Sequence, residues 1–187
     1  MTSRSILSSD NKNYLIYLTI ITVVVLDQLS KYIIKSTMNL YDSFSVLGDF
    51  FRITYIENAG MAFGVQMQNK VLFTILSVAA AVIVLVYLIR LPKERFIFRF
   101  SLALIMGGAI GNLIDRIFVG RVVDFLDVEF FDISLPAFNF WFIDFPGYSM
   151  TRWPVFNVAD SAVTIGMIFI AWFIVFQKNS AHQQVSA

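Results

Sequence analysis

Asp124 and Asp160 are the residues whose type and position best suit them to chemistry. Asp124 follows one long apolar run and Asp160 lies one turn into another, so packing the two runs together brings both carboxylates to one depth. Two carboxylates within ~3 Å cannot both ionise easily, and the pair then holds one proton between them. One member can take a proton from water while the other hydrogen-bonds a carbonyl, which is the acid–base chemistry of an aspartic peptidase. Such a pair titrates as a unit, so base and acid are not assigned to individual residues. The rival arrangement is a Ser-Lys dyad of Ser30 or Ser161 with Lys31. Lys31, however, follows Asp27 by four residues, the favourable order for a helical ion pair. The chain has no cysteine, and its only histidine, His182, lies near the C-terminus. Thiolate nucleophiles, His-based triads and Cys or His metal sites therefore have no source.

A second polar group precedes Asp124. Gly108, Asn112, Asp115 and Arg116 fall at i, i+4, i+7 and i+8 and share one helical face, while Gly107 and Gly111 allow another helix to approach closely. Ionisable side chains at membrane depth face a bundle interior or a wet cavity. Asn157 and Asp160, at i and i+3, point the same way into the bundle. Upstream, the run from Glu57 through Asn58, Ala59 and Gly60 to Gly64 reads as a tight turn after a short strand at 51–56.

The elements that must position these residues are apolar. Hydrophobic residues make up 58% of the 187 and charged residues 14%, which excludes an ordinary soluble domain. The formal net charge of +1 carries no nucleic-acid signal. Spanning helices are expected at about 14–34, 71–90, 98–119 and 155–177, in a single domain covering 1–187. Trp153-Pro154 is read as opening the last span, with proline in its first turn, and 177–187 as a polar tail. The short basic connection with Arg90, Lys93, Arg95 and Arg99 marks the cytoplasmic side, which puts both termini there and the aspartates on the opposite face. Residues 35–70 leave the membrane, with that short strand and turn in a loop lying on the bilayer, and the aromatic stretch 125–153 is read as an interfacial insert. Within it, Phe140, Trp141 and Phe142 are expected to anchor at the bilayer surface, with a bend at Pro146-Gly147.

Five blocks in order carry a resemblance: Asp27-Gln28-Leu29-Ser30-Lys31, Asn58-Ala59-Gly60-Met61-Ala62-Phe63-Gly64, the run from Gly107 to Arg116, Val122-Val123-Asp124-Phe125, and Phe156-Asn157-Val158-Ala159-Asp160-Ser161. From 14 to 176 the chain resembles lipoprotein signal peptidase, the bacterial signal peptidase II family. The resemblance implies an all-α membrane protein, a four-transmembrane-helix bundle with a small extracytoplasmic β-cradle over residues 40–70 that holds the substrate, and an interfacial insert. It implies an intramembrane aspartic endopeptidase of the bacterial cytoplasmic (inner) membrane that removes signal peptides from diacylglyceryl-modified prolipoproteins, on the N-terminal side of the lipidated cysteine. Asp124 and Asp160 then become the catalytic pair. Asn58, Gly60, Asn112, Arg116, Asn157 and Ala159 line or support the site, and Asp27, Lys31, Gly108 and Asp115 hold it together. No cofactor or metal is implied, and the partners are prolipoprotein substrates and membrane lipid, with no nucleic acid. The insert between the two aspartates is longer than the family pattern. An ion-relay subunit of a transporter or channel is the reading from another class; the clustering of acids at one face and the lack of an internal repeat count against it. A non-catalytic assembly protein would explain the glycine packing but not two converging aspartates.

Overall fold

The computed structural model describes residues 9–59, 61–62, 65–66, 70–92, 95–129, 132–140, 143–145 and 147–185. Gly60, Lys93, Trp141, Phe142 and Pro146 lie outside them. In chain order the elements are α1 (Ser9–Thr37), β1 (Ser43–Leu47), β2 (Phe51–Asn58), β3 (Met61–Ala62), β4 (Val65–Gln66), α2 (Lys70–Arg90) and α3 (Phe96–Phe118). There follow β5 (Val122–Val128), β6 (Ile133–Leu135), β7 (Phe138–Phe140), β8 (Ile143–Phe145), β9 (Tyr148–Met150) and α4 (Val158–Val185). Among the described residues these make four helices plus small sheets, so β-structure accompanies the expected helical bundle.

Helix α3 is central, packing against α1, α2 and α4. Its glycines explain how closely. A Cβ on Gly107 would stand 2.7 Å from the Val23 Cβ of α1, and one on Gly111 2.5 Å from the Asp27 carboxylate. A Cβ on Gly108 would strike the Ala159 carbonyl oxygen of α4, and one on Gly166 of α4 would stand 2.7 Å from the Ser101 carbonyl oxygen. Dispersion across such small-residue seams holds helices together where no hydrophobic gain is available. The outward faces are apolar, with Ile21, Val25, Leu29, Ile75, Val82, Ile165, Ile168 and Trp172 all exposed. Among the described residues, three stretches are long and apolar enough to cross a membrane, Asn13–Thr37, Phe96–Phe118 and Val158–Phe176, and α2 adds the shorter apolar Thr74–Arg90.

Beyond Phe118 the chain turns at Gly120, whose φ of +76° is the left-handed conformation that glycine adopts without strain. It then enters β5, the edge of an antiparallel sheet ordered β1-β2-β5. The register sets Ile56 opposite Asp124 and Asn58 opposite Val122. Tyr55, Val123 and Phe125 bury one face against Ile34 of α1. The first residues of the expected insert therefore belong to the core sheet, and Phe125 is buried. Past β5, β6 pairs with β9 and β7 with β8, nested as one long hairpin. Its base is closed by backbone bonds between Leu126 and Phe156 at 2.7 and 3.0 Å, and by Trp153 N–H to the Val128 carbonyl at 3.2 Å.

The first and last helices depart from their expected bounds: α1 runs Ser9–Thr37 rather than about 14–34, and α4 shifts at both ends. Helix α4 starts at Val158, so Pro154 lies ahead of the helix, because Phe156 is held in a bridge to Leu126. Its helical conformation also continues to Val185, through most of the expected polar tail.

Candidate active site

Helix α4 begins with a capping box. The Asp160 N–H donates to the Asn157 Oδ1 at 2.9 Å, and the Asn157 N–H donates to the Asp160 Oδ2 at 3.3 Å. This reciprocal pair satisfies otherwise orphaned helix donors. It also fixes the Asn157 amide: with Oδ1 accepting from the helix, Nδ2 turns to Asp124 and donates to Oδ1 at 2.6 Å. The two aspartates, 36 positions apart in the chain, are thereby joined through one asparagine.

Asn112 of α3 provides the second bridge. Its Nδ2 donates to the Asp160 Oδ1 at 2.8 Å, while its Oδ1 accepts from Lys31 Nζ at 3.0 Å and from Asn157 Nδ2 at 3.1 Å. An ammonium has only donors to offer, so Lys31 dictates which end of the Asn112 amide faces Asp160. Lys31 is itself buried between Asp27 at 2.8 Å and Asp115 at 2.9 Å. Three acceptors offset the desolvation of the ammonium, which a lone buried charge would not survive. Asp27 also accepts the Ala159 N–H at 3.0 Å, tying α1 to the first turn of α4, and Asp115 accepts the Val123 N–H at 3.3 Å, tying α3 to β5 beside Asp124.

From the sheet, Asn58 Nδ2 donates to the Asp124 Oδ2 at 3.0 Å. Asp124 thus receives an amide from each side, one from β2 and one from α4. Burial pushes its carboxyl up to about 7, the negative charge of Asp160 adds to the rise, and the Asn58 and Asn157 amides and Lys31 oppose it. Arg116 is half-buried within electrostatic reach of Asp160, Asp124 and Asp115.

Asp124, Asp160, Asn58, Asn112 and Asn157 therefore meet in one hydrogen-bonded group, supported by Asp27, Lys31 and Asp115. Gly108 and Ala159 meet at the α3–α4 seam; Ala159 is fully buried and supports the group rather than lining a cleft. Gly60 falls outside the described residues. Sequence reasoning missed the roles of Gln28 and Arg152. Gln28 donates to the Gly111 carbonyl and to Asp115, both at 3.1 Å. Its place between Asp27 and Lys31, in a helix otherwise apolar there, was the available signal. Arg152 clamps the hairpin base, with Nε to Asp127 at 2.8 Å and Nη1 to Glu129 at 2.6 Å and to the Asp49 carbonyl at 2.9 Å. No local spacing marked it.

Apolar helices around a buried carboxylate and amide network define the class as a membrane-embedded protein. The family model for signal peptidase (SPase) II matches residues 19–176. The lipoprotein signal peptidase of Moorella thermoacetica is 40% identical over 150 residues, covering 80% of this chain and 85% of that one. That of Caldanaerobacter subterraneus subsp. tengcongensis is 42% identical over 156 residues, covering 83% and 92%. A solved structure described as a bacterial membrane enzyme superposes with a TM-score of 0.69 at 33% identity, covering 90% of each chain. The chain belongs to the signal peptidase II family.

Proposed function

We propose that this chain is an intramembrane aspartic endopeptidase that removes the signal peptide from diacylglyceryl-modified prolipoproteins, cutting on the N-terminal side of the lipidated cysteine. The observation that carries the reading is Asn157, whose side chain holds Asp124 at 2.6 Å while its backbone holds Asp160 at 3.3 Å. In this reading one carboxylate of the pair takes a proton from water, whose oxygen attacks the scissile carbonyl carbon. The other gives its proton to the carbonyl oxygen, forming a tetrahedral diol. The carboxyl that took the water proton passes it to the leaving nitrogen as the C–N bond breaks, while a diol hydroxyl gives its proton to the other carboxylate as the new carboxyl group forms, which restores the singly protonated pair. The rise of Asp124 to about 7 supports this, since it lets the pair retain a proton at neutral pH. Asn112 and Asn157 orient the carboxylates, while Asn58 and Arg116 face the substrate.

All four helices cross the bacterial cytoplasmic membrane, with both termini in the cytoplasm and the aspartates toward the extracytoplasmic face. The apolar outer faces of the helices and the basic residues Arg90, Arg95 and Arg99 at one end of the bundle support this orientation. Residues 40–70 cradle the substrate, and the hairpin inside 125–153 lies over the cleft at the bilayer surface. The lipid on cysteine contributes acyl-chain burial worth ~0.8 kcal/mol per CH₂. The purified protein in nanodiscs should therefore cleave a diacylglyceryl-modified prolipoprotein and leave the unmodified precursor intact. Equal cleavage of both would contradict the substrate class.

A further inference from the structure

At the end of the bundle away from the aspartates, α3 starts bare. Its N-cap is Arg95, which makes no side-chain capping hydrogen bond, and its first turn contains no acid. The leading N–H groups of such a helix carry partial positive charge and lack intrahelical acceptors. Within that first turn Arg99 is only 7% exposed, and its Nη1 donates to the Asn13 Oδ1 of α1 at 2.9 Å. Its Nε is buried with no hydrogen-bond partner. Among the described residues, Asn13 is the one side chain that Arg99 hydrogen-bonds. The surroundings are apolar: Ile16, Leu88, Leu102 and Ala103 pack there with Phe96 and Phe100.

Among the described residues no carboxylate pairs with this buried guanidinium, and a buried cation facing a neutral amide is a costly arrangement. Arg90 and Arg95 stand exposed on the same α2–α3 connection. An uncapped helix start, a buried guanidinium with an unused Nε donor and two exposed arginines all favour one chemistry, an anion with several acceptor oxygens. We propose that this end of α3 binds a phosphate group, carried by an acidic phospholipid whose acyl chains run along the exposed apolar faces of the helices. Arg99 lies roughly 20 Å along α3 from Asn112 at 1.5 Å per residue, so the site is separate from the aspartates. It gives the bundle a preference among membrane lipids that peptide cleavage does not require.

The test compares the thermal stability of the full-length protein in nanodiscs of phosphatidylcholine alone and with phosphatidylglycerol added, for the parent and for Arg99→Gln. Phosphatidylglycerol should raise the parent Tm by about 3 °C and leave Arg99→Gln unmoved. In phosphatidylcholine, Arg99→Gln should be at least as stable as the parent, because an uncompensated charge has gone. An equal phosphatidylglycerol effect in the variant, or none in the parent, overturns the proposal, as does destabilisation of the variant in phosphatidylcholine, which would mean that the protein itself supplies the counter-charge. Native mass spectrometry of the parent gives a readout that does not depend on the variant folding: phosphatidylglycerol should be retained over phosphatidylcholine, and absence of preference overturns the site. Inorganic phosphate added in detergent separates the sources. Stabilisation of the parent but not of Arg99→Gln by the free ion, with no response to phosphatidylglycerol, keeps the phosphate chemistry and overturns the lipid.

Discussion

Asn157 donates its side-chain amide to Asp124 at 2.6 Å, and it can do so because the other end of that amide is occupied in capping α4. Helix capping and the placement of a candidate catalytic carboxylate are therefore one feature. Asn157→Ala should lower helix stability by about 1 kcal/mol through the lost cap. It should also lower kcat on the order of 10²-fold by releasing Asp124. Thermal denaturation with steady-state kinetics checks both; a stability loss with unchanged kcat would separate the two roles.

The acid held near 7 at Asp124 makes both activity and stability depend on pH. Its unfolded-state value is about 3.9, so the folded protein binds more protons between about 4 and 7. This contribution to stability is fully present below about 4 and is lost as pH rises through about 7. Asp124→Asn should flatten that part of the Tm profile and be the more stable protein at pH 8. In the parent, kcat/KM should fall as pH climbs past about 7 and the pair loses its shared proton. Parallel Tm profiles for parent and variant would contradict the assignment.

At the α3–α4 seam even one carbon is excess. Gly108→Ala should cost roughly 1–3 kcal/mol and reduce activity with it, because its Cβ would meet the backbone oxygen of Ala159 and Val163 Cγ2 at 2.7 Å. Ala159 neighbours Asp160, so any helix shift moves the site. Gly48, with nothing within 4 Å of its Cβ position, provides the contrast: Gly48→Ala should cost only local backbone strain at φ +55° and leave turnover unchanged. Chemical denaturation and turnover of both variants check this.

The legible residues were those that broke an apolar pattern. Asp27, Lys31, Asn112, Asp115, Asn157 and Asp160 stand out because a polar group in such a run needs a partner, and the partners are each other. The glycines around Gly108 were legible for the complementary reason, that only small residues permit close approach. Strand β5 was not, because Val122, Val123, Asp124 and Phe125 are all buried and leave no alternation to read. Its partner β2 lies more than 60 residues upstream. Pro154 pointed to a helix start that Phe156 forbids by pairing with Leu126; the Asn157-to-Asp160 capping spacing was the better signal. Arg152 acts on Asp127, Glu129 and Asp49, which only the folded sheet brings together.

That clamp gives a further prediction. Arg152→Ala should free the hairpin base and leave Asp127, which Thr54 also holds at 2.7 Å, short of its cation. With the aspartates untouched, the effect should fall on KM for the lipidated precursor, about tenfold, more than on kcat. A loss confined to kcat would mean that the hairpin shapes the catalytic geometry itself.

Asp124 and Asp160 are proposed to carry the chemistry together. The most direct measurement is the single-turnover rate of signal-peptide release from a diacylglyceryl-modified prolipoprotein by Asp124→Asn and Asp160→Asn, each shown by its melting curve to be folded. Amide replacement keeps the shape and removes the shared proton, so both rates should fall by at least about 10⁴-fold while substrate still binds. Near-parental turnover by either folded variant would contradict the account.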